Sequence, residues 1–302
     1  MVSVLQPLTQ QFLNNINRIG EEMSQAQAEL STGLKVNVVS DEPDVISPLL
    51  QAQANLSSAQ QISTNLTQVS TEVNTGEQSL ESAVSLYDQV QSLSAEGDTS
   101  TQTATGRADI AQQLQSIEQQ MVGLANTQVN NRYIFAGDTD QTQPYTFDST
   151  QPDPVSAYQG SSSTRMIQAA NGTTFPVALT AQQIFDSTDP STNVFTSINN
   201  LVTALNNNDQ TAIDAANAAL PAVSTYLNQQ LAFYGTAQDA VSNAADSAST
   251  LITQLQTQIG GMQDADETQS ILDLTQAQTE QQAALESFQE IPRTTLFDYL
   301  TS

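Results

Sequence analysis

Apolar and small residues recur along most of the chain in steps of three and four. The longest series runs Leu49, Ala52, Leu56, Ala59, Ile62, Leu66, Val69, Val73, Gly76, Leu80, Ala83, Tyr87, Val90. Apart from two successive threes around Ala59, this is a heptad seam, and it predicts one helix of about 70 Å with a narrow buried stripe. Asp41, Glu42, Pro43 and Pro48 lie where a helix begins, since acids and proline suit a first turn whose N–H groups are unpaired. Gly97 ends the run. Ile110, Leu114, Ile117, Met121 and Leu124 predict a second helix that closes at Asn130-Asn131. Tyr133–Phe135 then reads as a short extended segment ending at Gly137.

The pattern changes between about Thr139 and Pro190. Five prolines there exclude a long helix. Val155–Tyr158, Thr164–Ala169 and Thr173–Leu179 read as strands, with Asn171-Gly172 as a type I′ hairpin dipeptide. Helical spacing resumes at Val194, Ile198, Leu201, Val202 and Leu205. A long helix is expected from about Ala222, with Pro221 in its first turn, to Ile259, where Gly260-Gly261 breaks it. Two more amphipathic helices frame the chain. The N-terminal one (Leu8–Leu34) carries Phe12, Ile16, Ile19, Met23, Ala26 and Leu30, with Gly33 as its stop. The C-terminal one (Glu267–Gln289) carries Ile271, Leu274, Ala277, Leu285 and Phe288. It is followed by a tail rich in large apolar residues, Leu296, Phe297, Tyr299 and Leu300 among them.

The expected fold class is mainly α: a long antiparallel helical bundle or coiled coil formed by both chain ends, with a small β-rich inserted domain. Five segments follow: an N-terminal axial helix over 1–40, the first half of the helical core over 41–138, the β-rich insertion over 139–192, the second half of the core over 193–263, and a C-terminal axial helix over 264–302. The terminal stripes can pack on each other within one subunit or on another subunit. The second reading makes Phe12, Ile16, Ile19, Met23, Leu30, Ile271, Leu274, Leu285, Phe288, Leu296, Phe297, Tyr299 and Leu300 an assembly interface.

Composition narrows the function. The 302 residues contain 6 Lys+Arg against 32 Asp+Glu, a formal charge of -26, and no His, Cys or Trp. Catalysis that needs an imidazole base or a thiolate is therefore excluded, as are Cys/His zinc sites and disulfides. Six cations make no basic face for nucleic acid or an anionic membrane. Charged residues are only 13%, and roughly forty Gln take their place. Asp138-Thr139-Asp140 and Asp264-Ala265-Asp266 begin like calcium loops. Neither continues with the required Gly and Glu, so both read as turns or helix caps. No catalytic, cofactor or metal residue is expected. The start has no basic segment followed by an apolar run, so no cleavable signal peptide is expected, and no run is long enough for a membrane span.

Four stretches resemble the flagellin superfamily of bacterial axial proteins: Gln27–Val36 (QAELSTGLKV), Ser40–Pro43 (SDEP), Leu124–Thr127 with Arg132–Gly137 (LANT, RYIFAG), and Leu296–Leu300 (LFDYL). The last two are similar to its hook-associated junction branch rather than to the filament subunit. Departures are Val38-Val39, where the family often has Arg-Pro, and Asn131-Arg132, where Gly is usual before the Tyr. The resemblance covers about the first and last hundred residues. It implies a structural, non-enzymatic subunit outside the cell, exported unfolded through a type III channel. Such a subunit would form a layer between the first hook-associated protein and flagellin. The partners implied are copies of itself, those two neighbours and an export chaperone. A flagellin filament subunit, or a helical interaction protein of another type III system, is the alternative.

Overall fold

The computed structural model describes residues 2–38 and 40–289, with side chains in the first helix from Thr9 onward. Seven helices are described: α1 (Val2–Thr32), α2 (Pro43–Gly97), α3 (Ala104–Ala125), α4 (Ala181–Phe185), α5 (Val194–Asn206), α6 (Gln210–Gln263) and α7 (Glu267–Gln289). Two antiparallel hairpins are also described: β1 (Gln128–Val129) with β2 (Arg132–Tyr133), and β3 (Met166–Gln168) with β4 (Thr174–Pro176). Contacts divide the chain into a unit of residues 1–58 and 252–302 and a unit of residues 59–251.

In the second unit the heptad series becomes the core. Leu66, Val69, Val73, Leu80, Ala83, Tyr87 and Val90 are buried together with Leu114 and Met121 of α3, Ile198 and Leu201 of α5, and Leu220, Val223, Leu227 and Tyr234 of α6. At Gly76 the Tyr234 ring of α6 packs directly on the α2 backbone: a Cβ there would lie 2.5 Å from the ring. Buried hydroxyls find partners, as in the Tyr87 to Ser197 hydrogen bond of 2.9 Å. Gln residues supply side-chain pairs along these helices where cations are few. Gln51–Asn55, Gln61–Asn65, Gln269–Asp273 and Gln276–Glu280 are i,i+4 side-chain hydrogen bonds of 2.7–3.0 Å. These amide pairs stand where Lys–Glu pairs ordinarily would.

Several local expectations are corrected. α6 starts at Gln210, eleven residues before Pro221, because the Asp209 side chain accepts the Ala212 N–H and caps it. The buried Ile213 and Leu220 then carry the helix through the proline. Gly260-Gly261 does not break α6, which runs on to Gln263. A Cβ at Gly260 would lie 2.8 Å from an Asp264 carboxylate oxygen, so the glycine makes room for the helix end rather than causing it. Asn130-Asn131 is the turn of the β1–β2 hairpin, both residues having positive φ (52° and 61°). At Asn171-Gly172 only the glycine has positive φ (84°). The Gly172 N–H donates to the Ala169 carbonyl, which makes a three-residue loop rather than a type I′ turn. Val155–Tyr158 forms no strand. Its pairing is a single bridge from Val155 to Phe147.

Candidate assembly surfaces

The first unit is built around α1 packed on α7. The 4-3 spacing of Phe12, Ile16, Ile19, Met23, Ala26 and Leu30 puts all six on one side of α1, and none of them is exposed. Ile19 and Ala26 are fully buried. α7 presents Ser270, Leu274, Ala277, Ala284 and Phe288 as its covered side. The Phe12 and Phe288 rings stack with centroids 4.1 Å apart. Ser270 Oγ donates to Glu29 at 2.7 Å. Arg18 binds Glu22 at 2.6 Å and approaches Glu280 at 3.6 Å, an exposed arrangement that adds little stability.

The other end of this pair is closed by backbone. The Lys35 N–H donates to Gln263 and the Ala265 N–H to Gly33, which turns with φ +71°. Asp266 Oδ1 accepts the Thr268 and Gln269 N–H groups and caps α7, the cap reading of Asp264–Asp266. Lys35 pairs with Glu42 at 2.5 Å, and Asp41 accepts the Asn37 and Val38 N–H groups at 2.8 Å each.

The structure therefore separates the terminal residues read as an interface. Phe12, Ile16, Ile19, Met23, Leu30, Leu274 and Phe288 lie on the covered sides of α1 and α7. Ile271 and Leu285 do not: they are 52% and 47% exposed. Each follows a covered residue, Ser270 or Ala284, and one step along a helix turns a side chain by about 100°. Leu296, Phe297, Tyr299 and Leu300 lie outside the described residues.

Four more surface residues carry no stripe signal: Leu13, Val38, Leu50 and Leu272, each about half exposed. A sequence cue does exist for three of them. Phe12-Leu13, Leu49-Leu50 and Ile271-Leu272 are apolar doublets, and a narrow helical stripe cannot bury both members. In the first two, one member faces in and the other out; in the third both are exposed. Of the seven exposed large hydrophobic residues described, only Met166 lies in the second unit. Apolar surface is thus concentrated in the unit made by the chain ends.

Charged groups of the second unit serve its own architecture. Arg107 is buried at the C-terminal end of α2, donating to the Gly97 carbonyl and to Asn208 and Gln210. Arg132 pairs with Asp140 at 2.5 Å, and Arg165 pairs with Glu72 of α2. Glu118 of α3 is 1% exposed and neither carboxylate oxygen has a hydrogen-bond partner. Burial, with a further contribution from Asp153, pushes its carboxyl up to about 8, so it is mostly protonated at neutral pH. Among the described residues no group of three or more His, Cys, Asp or Glu is placed to hold a metal ion, and no helix is long and apolar enough to cross a membrane.

Comparison with known proteins agrees with this geometry. Residues 5–140 match the family model for the bacterial flagellin N-terminal helical region. No curated protein matches the chain in sequence. Solved structures that share the fold include two flagellar proteins. A protein of Vibrio parahaemolyticus, assigned as a flagellar hook-associated protein, superposes with a TM-score of 0.64 at 20% identity, over 74% of this chain and 100% of its own. FlgL of Xanthomonas campestris superposes with a TM-score of 0.58 at 17% identity, over 70% of this chain and 99% of its own.

Proposed function

We propose that this chain, which carries a flagellin-type N-terminal helical region, is a structural subunit of the bacterial flagellum and joins the hook-associated layer to the flagellin filament. The observation that carries the reading is the concentration of exposed apolar residues on the unit formed by the two chain ends. A lone soluble subunit gains nothing from Leu13, Leu272, Ile271 and Leu285 in water, whereas a subunit stacked among copies buries them. In this reading the covered stripes hold α1 and α7 together, and the outward residues with the tail segment containing Leu296, Phe297, Tyr299 and Leu300 meet neighbours. The neighbours are further copies, the first hook-associated protein on one side and flagellin on the other. A chaperone would shield these surfaces before export, and the assembled protein would stand outside the cell. The role is architectural rather than enzymatic.

The experiment is deletion of the gene followed by motility assay and electron microscopy. Loss of motility, with hooks present and filaments shed into the medium, is the expected result. Retained filaments would overturn the junction role. The alternative, a filament subunit, is separated by copy number: thousands of copies per isolated filament would replace the junction reading. Leu285→Asp tests the surface itself. It should leave helix content unchanged while blocking incorporation, and normal incorporation would remove Leu285 from the interface.

A further inference from the structure

The first turns of α2 have two apolar sides. Leu49 and Ala52 are buried at 4% and 3% exposure. On the other side Pro43, Ile46, Leu50 and Ala54 line an open groove, and Leu50 is 59% exposed. Its positions advance by 3, 4 and 4, the spacing of a seam that receives a second helix. Asp44 lies beside the groove and is exposed.

The chain holds one segment whose chemistry matches. After α7 come thirteen residues, Glu290–Ser302, with Leu296, Phe297 and Leu300 spaced to share one helical face. Arg293 precedes them, a cation to set against Asp44. We infer that the Pro43–Ala54 groove receives the C-terminal segment of a second copy of this chain. Reach decides between the copy and the chain itself. Phe288 stacks on Phe12, whereas Gly33 at the opposite end of α1 is bonded to Ala265. Those ends are separated by 21 residues of helix, roughly 30 Å. Eight residues from Gln289 to Phe297 span at most about 29 Å even when fully extended. The groove begins at Pro43, next to the Glu42 that Lys35 binds at this Gly33 end. A chain's own tail thus reaches its first turn only when fully extended, with no slack to lay an apolar helical face there. That limit does not bind the tail of a neighbour displaced along the stack.

This contact rests on the subunit reading above, and the test separates the two. The chain has no cysteine, so single introduced thiols report only on their own positions. Leu50→Cys and Phe297→Cys variants are expressed together in cells lacking the native gene. Isolated flagella are oxidised mildly and run on a non-reducing gel. A dimer band at about twice 32.3 kDa is expected. It should be at least several-fold stronger than with Gln60→Cys in place of Leu50→Cys, and it should weaken when Asp44→Lys is added to the Leu50→Cys copy. Flagella that contain both variants without the band overturn the groove contact and leave the subunit role standing. Absence of both variants from the flagella overturns both. In the double variant expressed alone, a disulfide that stays within the monomer overturns the assignment to a second copy.

Discussion

Phe12 of α1 and Phe288 of α7 stack nearly face to face, with ring planes 15° apart and centroids separated by 4.1 Å. They are 276 positions apart in the chain and join its two ends. The stack lies at the end of the α1–α7 pair away from the Gly33–Ala265 closure, and among the described residues no backbone hydrogen bond joins the two helices there. Two helices sharing one narrow seam bury little, so a single aromatic pair counts for much.

Phe288→Ala should therefore loosen this end alone. An aromatic pair contributes about 0.5–1.5 kcal/mol beyond the area it covers. Amide hydrogen exchange should accelerate in α1 around Leu13 and stay unchanged in the second unit. Unchanged protection around Leu13 would show that the stack does not order α1.

Gly76 is expected to tolerate no side chain. A Cβ would meet Tyr234 Cε1 at 2.5 Å. The Tyr234 ring cannot give way easily: it packs edge-on against Phe135 and Phe233, and its hydroxyl accepts the Leu179 N–H at 3.2 Å. Alanine improves helix propensity by about 1 kcal/mol, but overpacking costs about 1–3 kcal/mol. Gly76→Ala should lower the midpoint of chemical denaturation. Gly123→Ala, with nothing within 4 Å of its Cβ, should raise it slightly. A stabilised Gly76→Ala would show that Tyr234 moves aside cheaply.

These residues also show where sequence was informative. The heptad series in α2 and the short series in α3 and α5 were legible because burial there is one-sided and helical spacing encodes it directly. Gly76 fell in the series without a reason until Tyr234 was seen opposite it. Helix ends read less well. At Pro221 and Gly260 a local breaker was overruled, by the Asp209 cap in one case and by the fit of Asp264 in the other. The β-rich middle was legible as prolines and short strands, but its pairing was not, because two- and three-residue strands carry too little alternation. At the assembly surfaces, stripe spacing found the covered side of α1, but it did not show that Ile271 and Leu285 of the α7 series face outward, because that depends on which neighbouring residue α1 covers.

Glu118 should make stability depend on pH. Its carboxyl stands at about 8 in the fold against 4.5 when free. A raised carboxyl favours the protonated native state, so its contribution is complete below about pH 4.5. It is lost progressively as pH rises to about 8 and is constant beyond. Asp153 is the charge facing it, and α5, which packs on α3, has no titratable side chain. Glu118→Gln keeps the shape and cannot ionise. The variant should match the parent near pH 4.5 and exceed it by roughly 2–4 kcal/mol at pH 8.5. Parallel stability curves for the two proteins across this range would show that Glu118 finds solvent or a partner when charged.

Ionic strength should act on assembly and leave the helices alone. Arg18, Lys35, Arg107, Arg132 and Arg165 are each bound to groups of their own chain, against 32 acidic residues in all. Stacked copies therefore meet acid against acid with few cations to spare, a repulsion that salt screens over about 10 Å at 0.1 M. Within the helices, apart from the exposed Arg18–Glu22 pair of α1, the side-chain pairs named above are Gln amides bonded to Asn, Asp or Glu, which have no opposite charge to screen. Far-UV circular dichroism should therefore be the same at 10 mM and 300 mM NaCl, while the fraction sedimenting as polymer should fall at the lower salt. Equal sedimentation at both would place the acids away from the contacts between subunits. Loss of helix signal at low salt would instead mean that repulsion within one chain, not between chains, limits the assembled form.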